Sequence, residues 1–127
     1  MTANTTLQQW LDAINRHDVG MLARLMAPDF MFVDALGGRV NGAAAMEQGW
    51  RGYFAMCPDY WVRVDGTMWE DDTALMHGEA GGTIDGSTWS VPAAWKAVVD
   101  TRQVREFRVY ADNKPVYEIL ARRQTSA

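Results

Sequence analysis

The stretch TALMHGEAGGTIDGSTWSVPAAWKAVV, residues 73–99, reads as two strands folded about Asp85-Gly86. Asp-Gly between two strand-like runs is a strong signal for a two-residue hairpin. Such a loop sets Ile84 opposite Ser87, and the remaining pairs follow, because opposed residues share a face and successive ones alternate. Gly82 then faces Trp89, Ala80 faces Val91, Gly78 faces Ala93 and Met76 faces Trp95. Small residues set against two tryptophans suit the wall of a cavity. The opposite face pairs His77 with Ala94 and Glu79 with Pro92, which turns His77 away from that cavity. A bulge at Gly81-Gly82 would exchange the two faces.

Strands continue on both sides of this hairpin. Tyr60 to Glu70 makes one, with a bulge expected at Asp65-Gly66 and a turn at Asp71-Asp72. Gln103 to Ala111 makes the last long one, and a short tail with Pro115, Tyr117, Ile119 and Leu120 suggests a closing helix. Helices come first. Leu7, Trp10, Leu11 and Ile14 repeat at helical spacing, with a capping box available at Thr5 and Gln8 or Thr6 and Gln9. Asp18 caps a second, short helix carrying Leu22, Leu25 and Met26, which Pro28 should stop. After a strand and a brief return to Asn41-Gly42, a third helix spans 43–56 and presents Met46, Trp50, Tyr53 and Phe54 on one side. Helices followed by a long meander describe an α+β domain: a curved antiparallel sheet wrapped around N-terminal helices, with a pocket at one end.

The 127 residues make one domain, 1–127, with 48% apolar and 22% charged residues, a balance that supports a core. A net charge of −4 without a basic stripe argues against nucleic acid as a partner. The single cysteine, Cys57, excludes an internal disulfide and precedes Pro58 at a helix end, where packing is its ordinary role. The first residues lack the pattern of a secretory signal, and no stretch approaches transmembrane length, so a cytoplasmic protein without a membrane partner is expected. No cluster has metal-ligand spacing and no glycine loop precedes a helix as a phosphate site requires, so neither metal nor cofactor is indicated.

Asp34 is the candidate catalytic group. It stands in Phe30-Met31-Phe32-Val33-Asp34-Ala35-Leu36-Gly37-Gly38, a carboxylate at the end of an apolar strand. Walled by indoles from Trp10, Trp50 and Trp95, it would be desolvated, its pKa raised, and able to exchange a proton near neutrality. The plainer role for such an Asp is to end a strand and start a turn. Six tryptophans are many for this length, and several should line a cavity or an interface.

Leu25-Met26-Ala27-Pro28-Asp29-Phe30 and Glu106-Phe107-Arg108-Val109-Tyr110-Ala111-Asp112 resemble the entry to the first strand and the final strand of a known superfamily. It comprises nuclear transport factor two, ketosteroid isomerase and the SnoaL-like polyketide cyclases, whose α+β cone is cystatin-like. The resemblance covers nearly the whole chain and implies fold more than function. It places Asp34 on the general base of ketosteroid isomerase, an Asp that works beside an oxyanion hole of Tyr and protonated Asp. The two oxyanion positions fall at Trp10 and Trp95, and the supporting tyrosine falls at Trp50. Indole N–H groups donate but are not acids, which argues against steroid isomerisation as such. Val109 stands where limonene epoxide hydrolase would need a second carboxylate.

Three readings follow. One is an isomerase, cyclase or lyase in which Asp34 moves a proton on a hydrophobic, cyclic molecule held by Trp10, Met26, Trp50, Met76, Trp95, Phe107 and Val109. Another is a binding protein for a small apolar ligand, and a third is a structural module whose tryptophans fill the core. A homodimer through the outer sheet face, near His77, Glu79, Lys96, Arg108 and Tyr110, is expected because an exposed sheet face needs cover or charge.

Overall fold

In the computed structural model, which describes residues 2–125, the order is α1 (Ala3–Arg16), α2 (Val19–Leu25), β1 (Met26–Val33), β2 (Arg39–Asn41), α3 (Ala43–Met56), β3 (Trp61–Glu70), β4 (Thr73–Ile84), β5 (Ser87–Val99), β6 (Val104–Ala111) and α4 (Lys114–Thr125). Thr2, not Thr5 or Thr6, starts α1: its hydroxyl accepts the Thr5 N–H at 3.1 Å. The helix therefore begins a turn earlier than the capping-box pattern indicates, and it buries the expected Leu7, Trp10, Leu11 and Ile14. His17 ends it in the left-handed conformation, φ 56°. Asp18 caps α2 as expected, accepting from Met21 N–H at 3.0 Å. That helix stops at Leu25, because Met26 is already extended and opens β1.

The six strands form one curved, unclosed sheet in the order β2-β1-β6-β5-β4-β3. Four of its five pairings are antiparallel, and the exception is β1 with β6, which run parallel. A wholly antiparallel sheet was the expectation. The parallel pair arises because the chain traverses α3 and four strands, β2 to β5, before β6 returns beside β1, a long connection of the kind parallel pairing requires.

The hairpin register agrees with the reading from Asp85-Gly86. Ile84 opposes Ser87, Gly82 opposes Trp89 and Met76 opposes Trp95. Both turn residues have positive φ, 52° and 79°. The expected bulge is also present, with a register shift between Val64 and Gly66. At Gly81-Gly82 the pairing is continuous. Close approach explains those glycines: a Cβ on Gly81 would meet the Trp61 ring, and one on Gly82 would meet the Cys57 sulfur. His77 consequently sits exposed on the outer face.

The free edge of β3 is covered from α1. Asn15 donates from Nδ2 to Val62 O at 3.0 Å and accepts the Val62 N–H at 2.8 Å. His17 Nε2 donates to Tyr60 O at 2.7 Å, while its ring stacks on Phe54 at 4.1 Å. These contacts pair the exposed edge groups and fix where α3 hands over to β3. The core divides in two. A large cluster fills the space between α1–α3 and the sheet, and a smaller one, built on Cys57, Ile84 and Trp89, lies under α4.

Candidate functional site

A cavity of about 310 Å³ is lined from both core clusters. Its walls are mostly apolar, with Ile14, Val62, Ala80, Trp95 and Phe107 from the large cluster and Trp89, Val91 and Val116 from the small one. Alternation along β1 aims Phe30, Phe32 and Asp34 to one face. Phe30 is fully buried against Trp10, Phe32 meets Trp50 at 6.2 Å, and Asp34 reaches the cavity rim.

Asp34 is the one charged side chain among the described lining residues. The desolvation expected for it does not occur: the residue is exposed and its carboxylate organises the turn after β1. Oδ1 accepts the N–H groups of Leu36 and Gly38, both at 2.9 Å. Gly37 supplies a positive φ of 86°, and Gly38 must lack a Cβ because one would collide with the Asp34 carboxylate. The Gly-Gly pair thus serves the orientation of Asp34. Oδ2 has no hydrogen-bond partner among the described residues, which leaves it available to a molecule at the rim. The turn role and the rim position coexist in one residue.

The other sequence-predicted site residues divide. Trp50, Trp95, Phe107 and Val109 line the cavity. Trp10, Met26 and Met76 do not; all three are buried in the large core cluster. Trp10 is displaced from the wall because it fills the layer behind it, edge-on to Trp50 at 5.8 Å and to Phe107 at 5.5 Å. It supports the cavity without facing it. Trp10 and Trp50 both carry a buried indole N–H with no acceptor. The Trp89 N–H lies beside the Cys57 thiol without reaching hydrogen-bond geometry.

Sequence reasoning missed the tyrosines. Tyr53, Tyr60 and Tyr117, three of the four in the chain, also line the cavity. Tyr53 packs edge-on to Tyr60 at 4.8 Å, and Tyr60 stacks with Trp89 at 6.1 Å. Burial, with smaller contributions from Cys57 and the neighbouring phenols, pushes both Tyr53 and Tyr60 well above the ordinary phenol range. They are therefore neutral O–H donors at any ordinary pH. The sequence does place Tyr53 on the same side of α3 as Trp50, three residues away, but spacing alone does not separate cavity wall from core.

The corner holding these phenols is braced by Asp59. Its carboxylate accepts the Thr83 N–H at 2.6 Å and hydroxyl at 2.7 Å, tying the α3–β3 connection to the end of β4. Those bonds hold Asp59 below the ordinary carboxylate range. Cys57, beside it, is buried, and desolvation raises its thiol, which suits packing and not nucleophilic attack. Among the described residues no group of His, Cys, Asp and Glu could hold a metal, and no helix is long and apolar enough to cross a membrane.

No curated protein matches the chain by sequence. Solved structures do match in fold. A protein from Shewanella putrefaciens CN-32, provisionally assigned as a SnoaL-like polyketide cyclase, superposes with a TM-score of 0.82 at 17% identity, covering 94% of this chain and 96% of the other. An LEH-like epoxide hydrolase from M. tuberculosis gives 0.80 at 14% identity, covering 91% and 82%. A hypothetical protein with a ketosteroid isomerase-like fold from Catenulispora acidiphila DSM 44928, in complex with trimethylamine, gives 0.77 at 21% identity, covering 86% of each chain. At these identities the likeness concerns fold. The family model of the SnoaL-like domain matches residues 7–117, nearly the whole chain, and the protein therefore belongs to the SnoaL-like domain family.

Proposed function

We propose that this protein binds a small hydrophobic, cyclic molecule in the cavity and that Asp34 moves a proton on it, in a reaction of the isomerase, cyclase or lyase type. One observation carries the reading: among the described residues, a single carboxylate, with one oxygen tied to backbone N–H groups and the other without a protein partner, stands at the rim of an otherwise uncharged cavity. Fixing one oxygen orients the group, and a positioned carboxylate is an ordinary general base for a carbon acid. Asp34 would take a proton from carbon next to a carbonyl and return it at a second position, leaving the enzyme unchanged. Flat walls from Trp50, Trp95 and Phe107 would hold the ring by burial and stacking.

The exposure of Asp34 favours one alternative, a binding protein without chemistry. Asp34→Asn distinguishes the two. Asparagine keeps an acceptor oxygen for Leu36 and Gly38 and removes only the base. Turnover of β,γ-unsaturated cyclic ketones, followed by the ultraviolet absorbance of the conjugated product, should vanish in the variant while ligand affinity persists. Turnover retained in Asp34→Asn would sink the catalytic reading.

We also propose a homodimer through the outer sheet face. Met68 is 71% exposed, and Leu75 and Tyr110 about half exposed, on a surface that also carries His77, Lys96 and Arg108. Contiguous exposed apolar groups of this kind mark contact surfaces. Light scattering that gives only monomer at micromolar concentration would remove this proposal.

A further inference from the structure

We infer that the Tyr53–Tyr60 corner is a hydrogen-bonding anchor for a neutral acceptor oxygen on the ligand, distinct from the carboxylate at Asp34. The inference rests on the reading of the cavity as a small-molecule site and adds what kind of molecule it takes.

Tyr53 and Tyr60 line the cavity, and no hydrogen bond to either hydroxyl occurs among the described residues. Both residues are half-buried and their hydroxyls are not sealed from the cavity space, so two phenol donors side by side in an apolar chamber suit an acceptor oxygen on a ligand. Burial keeps both phenols protonated, and the neighbours that act on them are a thiol, Cys57, and phenols, with no cation among them. Among the described residues nothing cationic lines the chamber to balance a carboxylate or phosphate there. The acceptor is therefore uncharged: a carbonyl, quinone or ether oxygen.

Topology separates this anchor from Asp34. Asp34 follows β1, next to one edge of the sheet, and Tyr60 precedes β3 at the other edge. The two strands are four steps apart, about 19 Å measured along the curved sheet. The 14-residue α3 crosses from β2 to β3 on the helix side and carries Trp50 and Tyr53 on the way. A single ligand touching both groups must carry its polar atoms on different parts of one flat body. The volume fits two fused rings, being about twice the 150 Å³ cavity that holds benzene.

The test is calorimetric titration of the whole chain with four two-ring probes: naphthyl methyl ketone, isopropenylnaphthalene, naphthoate and naphthylmethylammonium. The ketone should bind tightest. Tyr53→Phe and Tyr60→Phe should each weaken the ketone by about threefold to tenfold, the effect of one neutral hydrogen bond, and leave the hydrocarbon unchanged. Equal affinity of ketone and hydrocarbon, or a ketone preference that survives both variants, would overturn the inference. Tightest binding by the ammonium probe would also overturn it, assigning the aromatic walls and Asp34 to a cation instead. Failure of the catalytic reading is separate: Asp34→Asn would then leave turnover intact while the ketone preference and its loss in the tyrosine variants still hold.

Discussion

Beside β1–β2 Asp34 is exposed, with Oδ1 held by two backbone N–H groups, whereas at the α3–β3 corner Tyr53 and Tyr60 are half-buried, with no acceptor for their hydroxyls among the described residues. The first is a charged group held by local backbone; the second is a neutral pair assembled from two elements and open to the cavity. Charge near solvent is cheap to keep, and an uncharged donor tolerates burial better than a carboxylate does. On the proposed reading, the arrangement puts the proton-transferring group where water can re-equilibrate it and the phenol donors inside an apolar chamber.

The largest effect should come from the wall that both ends share. Trp95 is 1% exposed, so Trp95→Ala should cost about 3–5 kcal/mol in denaturant unfolding and weaken every planar ligand. Trp69, which is 38% exposed, should cost much less. Equal losses at the two positions, with no ligand bound by the parent protein, would favour a purely structural role for the tryptophans.

Next comes the turn. Asp34→Ala removes the acceptor for two N–H groups and should lower stability by about 0.5–2 kcal/mol, the range for losing a comparable cap. Asp34→Asn should stay close to the parent in melting temperature. A parent-like melting temperature in the alanine variant as well would separate the carboxylate from the turn.

The phenol end should reveal itself in alkali. Tyr53 and Tyr60 have folded-state pKa values above the unfolded value near 10. Their contribution is fully present below pH 10 and is lost as pH rises beyond it, because only the unfolded chain ionises them readily. Unfolding between pH 10 and 11 should steepen in the parent and flatten in Tyr60→Phe; identical profiles would place the phenols in water. The smallest effect is the acid counterpart at Asp59. Its pKa is depressed below the ordinary 3.8 by Thr83, so its contribution is present above that value and lost as pH falls through the folded pKa. Asp59→Asn should lose stability at pH 7 and little at pH 2, and a loss of equal size at both would show that Asp59 acts without its charge.

Much of this molecule was legible residue by residue. Asp85-Gly86 determined the hairpin and its register across 73–99, because a two-residue loop leaves no freedom in what opposes what. The same counting put His77 outside. The 43–56 helix, the bulge at 65–66 and the Asp18 cap are equally local in origin, each set by side chains within a few residues. Tertiary structure alone decided the site. Trp10 and Trp95 read alike, yet Trp10 fills the layer behind the wall and Trp95 forms it. Tyr53 and Tyr60 meet only because His17, Asn15 and Asp59 fix the α3–β3 corner, using contacts that cross 24 to 47 positions of chain. Whether Asp34 is dry or wet depends on how far the turn carries it past the sheet, which alternation along a strand does not record. Periodicity reports the face on which a side chain lies; how deep that face is buried depends on what packs against it from elsewhere in the chain.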